Sequence, residues 1–193
     1  MAERMNDAVI AGLILAGGEG RRMGGVDKGL VDWRGKPLVA RVMAAMSPVV
    51  SPVWISANRS LAQYRLYSDH LVGDPTGFRW QGPMAGLLAG LRAAAEYGAD
   101  AVLTSPCDTP NVTPDLFRTL CEAYQPGVAV TACSGGRLHP LHGVYPVSLI
   151  PMLEQRLKVG DRKVMAFVEA AGARFVTIEP PTLFDNINRL TGD

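Results

Sequence analysis

The residues from Leu15 to Leu30, LAGGEGRRMGGVDKGL, combine six glycines with two arginines, an aspartate and a lysine, directly after an apolar run. Glycine lets backbone N–H groups approach an anion closely, because no Cβ atom stands in the way. Arg21, Arg22 and Lys28 add positive side chains within reach of several phosphate oxygens. The combination predicts a loop that holds a triphosphate while one of its bridging bonds is broken. Tight turns with solvated basic residues are the alternative.

Two standard phosphate-binding loops are excluded. A Walker A loop needs Gly-Lys-Ser/Thr, and the Gly35-Lys36 pair of this chain is followed by Pro37. The dinucleotide-binding fingerprint would need a glycine where Met23 stands. The glycine-rich loop therefore belongs to neither class.

A carboxylate with metal-binding potential follows the run AVLTSPC. Asp108 comes directly after it, at the carboxyl end of a predicted strand. One carboxylate together with phosphate oxygens and waters is a normal environment for Mg2+. An aspartate or threonine before a proline-marked helix start is also a common N-cap, and Thr109-Pro110 follows here. Metal binding and helix capping both stay open on this pattern.

These residues need elements that position them, and the apolar pattern predicts alternating strands and helices. The predicted strands cover 9–15, 52–58, 127–133 and 173–179, with another that begins at 101 and ends in a proline-rich turn. The predicted helices cover 38–46, 82–98, 114–124 and 161–172, and 134–143 is predicted as a loop. We therefore predict an α/β fold, a single Rossmann-like, doubly wound domain with a mainly parallel sheet. Its ligands should bind beyond the carboxyl ends of the strands.

Composition narrows the function classes. The chain of 193 residues has 19 basic and 18 acidic residues, and this balance provides no global field that would attract nucleic acid or an anionic membrane. Three cysteines without CxxC spacing argue against a disulfide framework and a zinc site. No apolar run approaches the about eighteen residues of a membrane span, and no cleavage-site pattern of an export signal is present. We expect a cytoplasmic protein with neither nucleic acid nor membrane as a partner.

The order of residues in the glycine-rich loop closely resembles the signature of the molybdenum cofactor guanylyltransferases, the MobA-type enzymes. The wider nucleotidyltransferase pattern, L-A-(G/A)-G, then R-M-G, K and G-x-P-L, is complete between Leu15 and Leu38. Further segments that resemble the family, in the family's order, are SANR at 56–59, GD at 73–74, GPMAG at 82–86, PCDTP at 106–110, HP at 139–140, GDRKVMAF at 160–167 and FDNIN at 184–188. The resemblance covers nearly the whole chain.

The resemblance implies an enzyme that binds GTP with Mg2+ and joins the α-phosphate of GTP to the phosphate of molybdopterin, releasing pyrophosphate. Lys28 and Arg22 would stabilise the phosphate charge that grows in the transition state, and Asp108 would hold the metal. Arg21 is expected at the surface, since two adjacent side chains seldom face one ligand. No covalent nucleophile is needed, so Cys107 is interpreted as a small buried apolar residue.

The resemblance also implies a nucleotide site and a pterin site, in halves of about 9–110 and about 111–193 of one domain. The implied nucleotide-binding residues are Leu15, Ala16, Gly17, Gly18, Lys28, Asn58, Asp74, Gly82 and Gly86. The implied pterin-binding residues are Arg162, Lys163, Asn186 and Asn188, with a solvated basic face and ordinary turns as the alternative. His139 and His142 are interpreted as hydrogen-bonded loop histidines rather than a metal site.

The sequence leaves alternatives for the nucleotide base that is bound and for the class of function. Enzymes that attach CMP to the same pterin usually carry alanine where this chain has Gly17, so the resemblance favours GTP. A carboxylate at Asp74 complements N1–H and N2–H of guanine, although GDPTG is also a plain turn sequence. A sugar-1-phosphate nucleotidyltransferase and a non-catalytic chaperone of molybdoenzymes are further alternatives. The molybdenum-insertion protein and acceptor molybdoenzymes are expected protein partners, because a labile cofactor must be handed on.

Overall fold

The computed structural model describes residues 8–18 and 26–187. The predicted site residues Arg22 and Asn188 lie outside the described residues. Arg21, which precedes Arg22, also lies outside them. The strands of the described part are β1 (Ile10–Leu15), β2 (Asp32–Trp33), β3 (Lys36–Pro37), β4 (Val53–Ser56), β5 (Leu71–Val72), β6 (Ala101–Pro106), β7 (Val130–Ser134), β8 (Arg137–Pro146) and β9 (Arg174–Thr177). The α-helices are α1 (Leu38–Met46), α2 (Leu61–Tyr64), α3 (Pro83–Tyr97), α4 (Pro114–Ala123), α5 (Ile150–Lys158) and α6 (Val164–Ala170).

Seven of these strands form one sheet in the order β5-β4-β1-β6-β8-β7-β9. The strands β5, β4, β1 and β6 are mutually parallel, β8 runs antiparallel to both of its neighbours, and β9 is parallel to β7. The short strands β2 and β3 pair separately as a hairpin. The predicted α/β fold with a mainly parallel sheet is confirmed.

The sheet is covered on both faces, which explains why its central strands are apolar without alternation. In β1, Ile14 contributes to a core cluster with α1 and α4, whereas Leu13 and Leu15 contribute to the cluster with α3 and α5. Gly90 lets helix α3 approach β1 closely. The Leu13 side chain occupies the space where a Cβ at Gly90 would stand. In the first turns of α3, a Cβ at Gly86 would lie 3.1 Å from Leu15 Cδ2, so this part of the helix lies against the carboxyl end of β1.

The loop predicted at 134–143 is wrong. Gly135 and Gly136, with φ of +54° and +75°, form a tight turn, and the chain then returns as β8 alongside β7. The residues RLHPLH at the start of β8 contain no β-branched side chain, so the usual strand signal is missing there. Helix α5 was also not predicted, because Pro151 follows an apolar run; proline fits the first turn of a helix well. The helix predicted at 161–172 is shorter, Val164–Ala170.

None of the helices within residues 8–18 and 26–187 has the length and apolar character needed to cross a membrane.

Candidate active site

The register of the parallel strands brings four loops to one edge of the sheet. Leu15 at the end of β1 lies beside Ser56 of β4 and Pro106 of β6, and Ser56 lies beside Val72 of β5. The segments that follow these strand ends carry Gly17-Gly18, Asn58, Asp74 and Asp108 in turn. Side chains from positions far apart in the sequence therefore meet at the carboxyl edge, where ligands of such sheets bind.

A cavity of about 220 Å3 opens at this edge. Its walls include six of the predicted nucleotide-binding residues, whereas Lys28 and Asn58 are not among them; the six are Leu15, Gly17, Gly18, Asp74, Gly82 and Gly86. Ala16 is buried directly after β1, with its N–H donating to the Ser56 carbonyl at 2.9 Å. The structure thus brings together most of the residues that sequence analysis assigned to the nucleotide.

Glycines keep this cavity open. A Cβ atom at Gly86 would lie 2.6 Å from Ser56 Oγ and 3.1 Å from Leu15 Cδ2, and one at Gly17 would lie 3.2 Å from Asn58 Nδ2. Gly82 precedes α3 with φ of +77°, a conformation that side chains other than glycine rarely adopt. A Cβ at Gly18, by contrast, would meet no atom of residues 8–18 and 26–187 within 4 Å. The described residues therefore leave space beside Gly18.

Asp74 is held in place by two neighbouring segments. Its Oδ2 accepts hydrogen bonds from Asn58 Nδ2 at 2.8 Å and from Trp80 N at 2.9 Å. Its backbone N–H donates to Asn58 Oδ1 at 2.8 Å. Burial raises the pKa of the Asp74 carboxyl above its ordinary value, while the hydrogen bonds from Trp80 and Asn58 oppose that shift. The carboxylate is thus half-buried and oriented by hydrogen bonds, and Asp74 is part of the cavity wall.

Lys28 and Asp108 form an ion pair next to the cavity. Lys28 begins a short 3-10 helix, Lys28–Leu30, beyond the undescribed part of the glycine-rich loop, and its Nζ lies 2.6 Å from Asp108 Oδ2. Asp108 follows β6, two residues after Pro106, which lines the cavity. The two residues that sequence analysis singled out for phosphate and metal are therefore neighbours.

Asp108 does not cap a helix. The N-cap of α4 is Thr113, whose side chain accepts a hydrogen bond from Leu116 N at 3.3 Å, so the capping alternative is wrong. Asp108 Oδ1 is buried and has no hydrogen-bond partner in the part of the chain that the structure describes. A buried acceptor of this kind is costly unless a cation or donor meets it.

The donor set fits a nucleotide-bound divalent metal rather than an all-protein site. Within residues 8–18 and 26–187, no group of three or more His, Cys, Asp or Glu side chains could hold a metal ion. Asp108 would therefore supply a carboxylate, and phosphate oxygens and waters would complete the coordination of a Mg2+-like ion. Nucleotidyltransferases of this family typically use a divalent metal.

The end of the described chain docks onto the Asp108 loop. Ile187 N–H donates to the Asp108 carbonyl at 2.9 Å, which carries the preceding, exposed Asn186 to this side of the site. Phe184 stacks on His139 with ring centroids 4.0 Å apart. Part of the predicted pterin-binding segment is thereby a neighbour of the predicted metal ligand.

The two histidines lie in β8, not in a loop, and the described residues form no metal site around them. His142 is buried, and its Nε2 lies 3.0 Å from Thr109 Oγ1, as expected for a hydrogen-bonded histidine. Burial lowers the pKa of His142 to about 3. Burial and Arg137 lower the pKa of His139.

Cys107 is a buried free cysteine, and burial raises the pKa of its thiol, as its interpretation as an apolar residue requires.

Arg162 and Lys163 are not among the residues that line the cavity. Both are exposed directly before α6, and Lys163 N–H donates to Asp161 Oδ1 at 3.1 Å. No hydrogen bond or ion pair of the described residues links either side chain to Asp108. Their assignment to the pterin stays a prediction.

Sequence analysis missed Ser56. The residue is 1% exposed, lines the cavity, and its Oγ has no hydrogen-bond partner in the described ranges. Its sequence signal was available: a serine that ends a buried apolar strand, inside the SANR segment, is a polar group at the ligand-binding edge.

A glycine-rich loop, an oriented carboxylate and a lysine–aspartate pair at the carboxyl edge of a doubly wound sheet define a nucleotide-binding α/β protein of the nucleotidyltransferase type. The model of the MobA-like NTP transferase domain matches residues 12–175, and the chain belongs to this family. The resemblance stated from the sequence is therefore confirmed.

Individual relatives agree with the family. The chain is 42% identical to the molybdenum cofactor guanylyltransferase of Cereibacter sphaeroides, covering 92% of this chain and 90% of the relative. It is 41% identical to the protein of the same name from Serratia proteamaculans, covering 93% and 89%. The crystal structure of molybdopterin-guanine dinucleotide biosynthesis protein A from Archaeoglobus fulgidus superposes with a TM-score of 0.74 at 24% identity, covering 93% of both chains. This last likeness is one of fold.

Proposed function

We propose that this protein transfers GMP from GTP to the phosphate of molybdopterin, forming the guanine dinucleotide form of the cofactor and releasing pyrophosphate. The relatives that carry this activity in their names cover about nine-tenths of the chain at 41–42% identity. The observation that carries the chemistry is the neighbourhood, at one sheet edge, of the glycine-lined cavity and the Lys28–Asp108 pair. A nucleotide whose base lies in the cavity would place its phosphates beside the Lys28 ammonium and the Asp108 carboxylate.

The nucleoside would occupy the cavity. Gly17 and Gly86 leave room for it, and the Asp74 carboxylate complements the N1–H and N2–H donors of guanine. Ser56 Oγ, buried and without a described partner, offers a further hydrogen bond to the base or ribose. Cytosine presents no such pair of donors on one edge, so these groups support GTP over CTP.

The transfer step needs charge stabilisation rather than a protein nucleophile. An oxygen of the molybdopterin phosphate attacks the α-phosphorus of GTP, the bond from that phosphorus to the bridging oxygen breaks, and pyrophosphate leaves with the electron pair. Lys28 donates hydrogen bonds to phosphate oxygens as their charge grows, and Arg22 in the glycine-rich loop is assigned the same task. Mg2+, held by Asp108 and phosphate oxygens, would neutralise further phosphate charge.

The pterin would bind on the side of the C-terminal segment. Asn186 lies beside the Asp108 loop, and Asn188, Arg162 and Lys163 remain assigned to pterin or phosphate by resemblance. This division keeps nucleotide binding in about 9–110 and pterin binding in about 111–193. The molybdenum-insertion protein and acceptor molybdoenzymes as partners, and the cytoplasm as location, belong to the same proposal. The three free thiols agree with a reducing compartment.

The test is pyrophosphate release and nucleotide incorporation by the purified protein with Mg2+ and molybdenum-loaded molybdopterin, with GTP and CTP in parallel. Turnover with GTP alone is expected, and it should stop when EDTA removes the divalent metal. Reactions without pterin, and with a sugar 1-phosphate in its place, are the controls. Turnover with CTP alone would overturn the base assignment, turnover with the sugar phosphate would overturn the acceptor, and no turnover with any pair would favour a non-catalytic role.

A further inference from the structure

We propose that Asn58 is a positioning residue for base selection: it acts on the nucleotide through Asp74, whose carboxylate it locks in the orientation that recognises guanine. The inference rests on the proposed function, because it takes a guanine nucleotide as the ligand of the cavity. It differs from the sequence expectation, which treats Asn58 as a direct nucleotide contact. The evidence is the pattern of hydrogen bonds around the two side chains.

The amide of Asn58 is engaged at both ends by the protein. Its Nδ2 donates to Asp74 Oδ2 at 2.8 Å and lies 3.4 Å from the Gly17 carbonyl oxygen. Its Oδ1 accepts from Asp74 N at 2.8 Å. An asparagine amide has two N–H donors and one carbonyl oxygen, so these bonds use both donors and the acceptor. The side chain joins the glycine-rich loop to the turn after β5, and little of it remains for a ligand.

The second support of Asp74 comes from a strained backbone. Trp80 adopts φ of +62°, which is unusual for an aromatic residue, and in this conformation its N–H donates to Asp74 Oδ2 at 2.9 Å. Asp74 Oδ2 thus accepts two hydrogen bonds, whereas Oδ1 accepts none from the described residues. Two donors on one oxygen fix the rotation of the carboxylate about its Cβ–Cγ bond. Oδ1 keeps both of its lone pairs, which is the number needed to accept from N1–H and N2–H of one guanine.

A carboxylate in a fixed orientation can discriminate between purines that present different numbers of N–H donors. Guanine offers N1–H and the exocyclic N2–H, whereas hypoxanthine offers N1–H alone. The affinity ratio between GTP and ITP therefore reports on the Asp74 carboxylate and not on the triphosphate, which the two nucleotides share. If Asn58 sets the carboxylate's orientation, this ratio depends on Asn58 as strongly as on Asp74.

The experiment measures dissociation constants of GTP and ITP by titration calorimetry, in Mg2+ and without pterin, for the wild type and for Asn58→Asp, Asn58→Ala, Asp74→Ala and the double variant Asn58→Ala/Asp74→Ala. Asn58→Asp keeps the shape but sets a carboxylate against Asp74. The matched structural control is Ser68→Ala: the Ser68 hydroxyl donates to the Val53 carbonyl at 2.7 Å and accepts from His70 N at 3.0 Å, away from the cavity. Thermal unfolding of every variant reports its stability.

The wild type should bind GTP about tenfold or more tightly than ITP, the scale of one hydrogen bond to a charged group. Both Asn58 variants and Asp74→Ala should bring the ratio near one, mainly by weakening GTP, and the double variant should change it no further. Ser68→Ala should keep the wild-type ratio even where its unfolding temperature falls. Parallel weakening of GTP and ITP in the Asn58 variants would overturn the inference and leave the guanylyltransferase proposal intact. A wild type that does not bind GTP would overturn that proposal and the inference with it.

Discussion

Lys28 Nζ and Asp108 Oδ2 lie 2.6 Å apart, although 80 residues of sequence separate the two side chains. Both are largely buried, with 24% and 19% of their side chains exposed. In the proposed reaction the lysine faces phosphate oxygens and the carboxylate faces a divalent cation. Binding of the metal nucleotide must therefore replace this ion pair by two new charge contacts, one for each partner. When a phosphate binds Lys28, Asp108 becomes available to the metal, and when the metal binds Asp108, Lys28 becomes available to a phosphate. Phosphate and metal should therefore bind cooperatively.

The first prediction concerns this pair. Lys28→Ala and Asp108→Ala should each lower turnover by about a hundredfold, the scale of a lost electrostatic contact in a transition state. Asp108→Asn, which keeps the shape, should raise the Mg2+ concentration needed for half-maximal GTP binding. Steady-state kinetics and Mg2+ titrations by calorimetry are the measurements.

The matched control is another ion pair of the same fold. Glu154→Gln breaks the contact of Glu154 Oε1 with Arg92 Nη2, 2.7 Å long, between α5 and α3. Turnover should stay at the wild-type level in that variant. A rate near that of the wild type in Lys28→Ala or Asp108→Ala would remove the residue concerned from the mechanism.

A second prediction uses the hydroxyl of Ser56, which has no hydrogen-bond partner among the described residues. Ser56→Ala removes no described hydrogen bond, so the free energy of unfolding should stay the same or rise slightly. GTP affinity should fall about fivefold, as expected for one neutral hydrogen bond to the nucleotide. Thr131→Val is the control, because it deletes another buried hydroxyl, within β7, that has no partner in the described part of the chain, and it keeps the side chain's shape. Equal GTP affinities in Ser56→Ala and the wild type would exclude a hydrogen bond from Ser56.

A third prediction separates two glycines of the cavity. A Cβ at Gly18 would meet no atom of the described residues within 4 Å, so Gly18→Ala should leave thermal stability near the wild type. It should nevertheless weaken GTP, if the phosphates approach this backbone as proposed. Gly86→Ala should weaken GTP and also strain the fold, because its new methyl group would lie 2.6 Å from Ser56 Oγ. Calorimetric binding and thermal unfolding of both variants are the test; unchanged GTP binding in Gly18→Ala would exclude a close phosphate contact there.

Much of the framework could be predicted from the sequence. The strand at 10–15 and the helix from Pro83 to Tyr97 follow from long apolar patterns, and the helix end follows from Gly98 at φ of +91°. Lys28 and Asp108 could both be singled out, because residue type and position after a strand carry chemical meaning. Their direct contact could not, since 80 residues separate the two side chains and no local pattern reports a contact over that distance.

Other features escaped because they depend on partners rather than on local sequence. β8 forms although its first residues lack strand-type side chains, because the Gly135-Gly136 turn returns it alongside β7. The Asn58–Asp74 pair depends on the register of β4 and β5, with Ser56 beside Val72, and periodicity does not report register. Ser56 was passed over because its hydroxyl gains significance from a cavity that several separate segments enclose.

The last prediction concerns pH and His142. Burial lowers the pKa of this histidine from 6.5 to about 3 in the folded protein. Above pH 6.5 it is neutral in the folded and unfolded states alike, and it makes no pH-dependent contribution to stability. Below that pH, His142 binds a proton in the unfolded chain but not in the folded protein. The free energy of unfolding should therefore fall by up to about 1.4 kcal/mol per pH unit. The decrease from this residue should end near pH 3, where the folded protein accepts the proton as well.

Urea unfolding between pH 4 and 7.5 would measure this effect as a difference between the wild type and His142→Gln. The glutamine can keep a hydrogen bond to Thr109 but does not titrate, so its stability should decline less steeply on acidification. His70→Gln, at an exposed position, is the control and should keep the wild-type slope. Because carboxylates contribute equally to all three proteins, the difference isolates His142. Parallel curves for the wild type and His142→Gln would mean that the folded protein accommodates the charged imidazole.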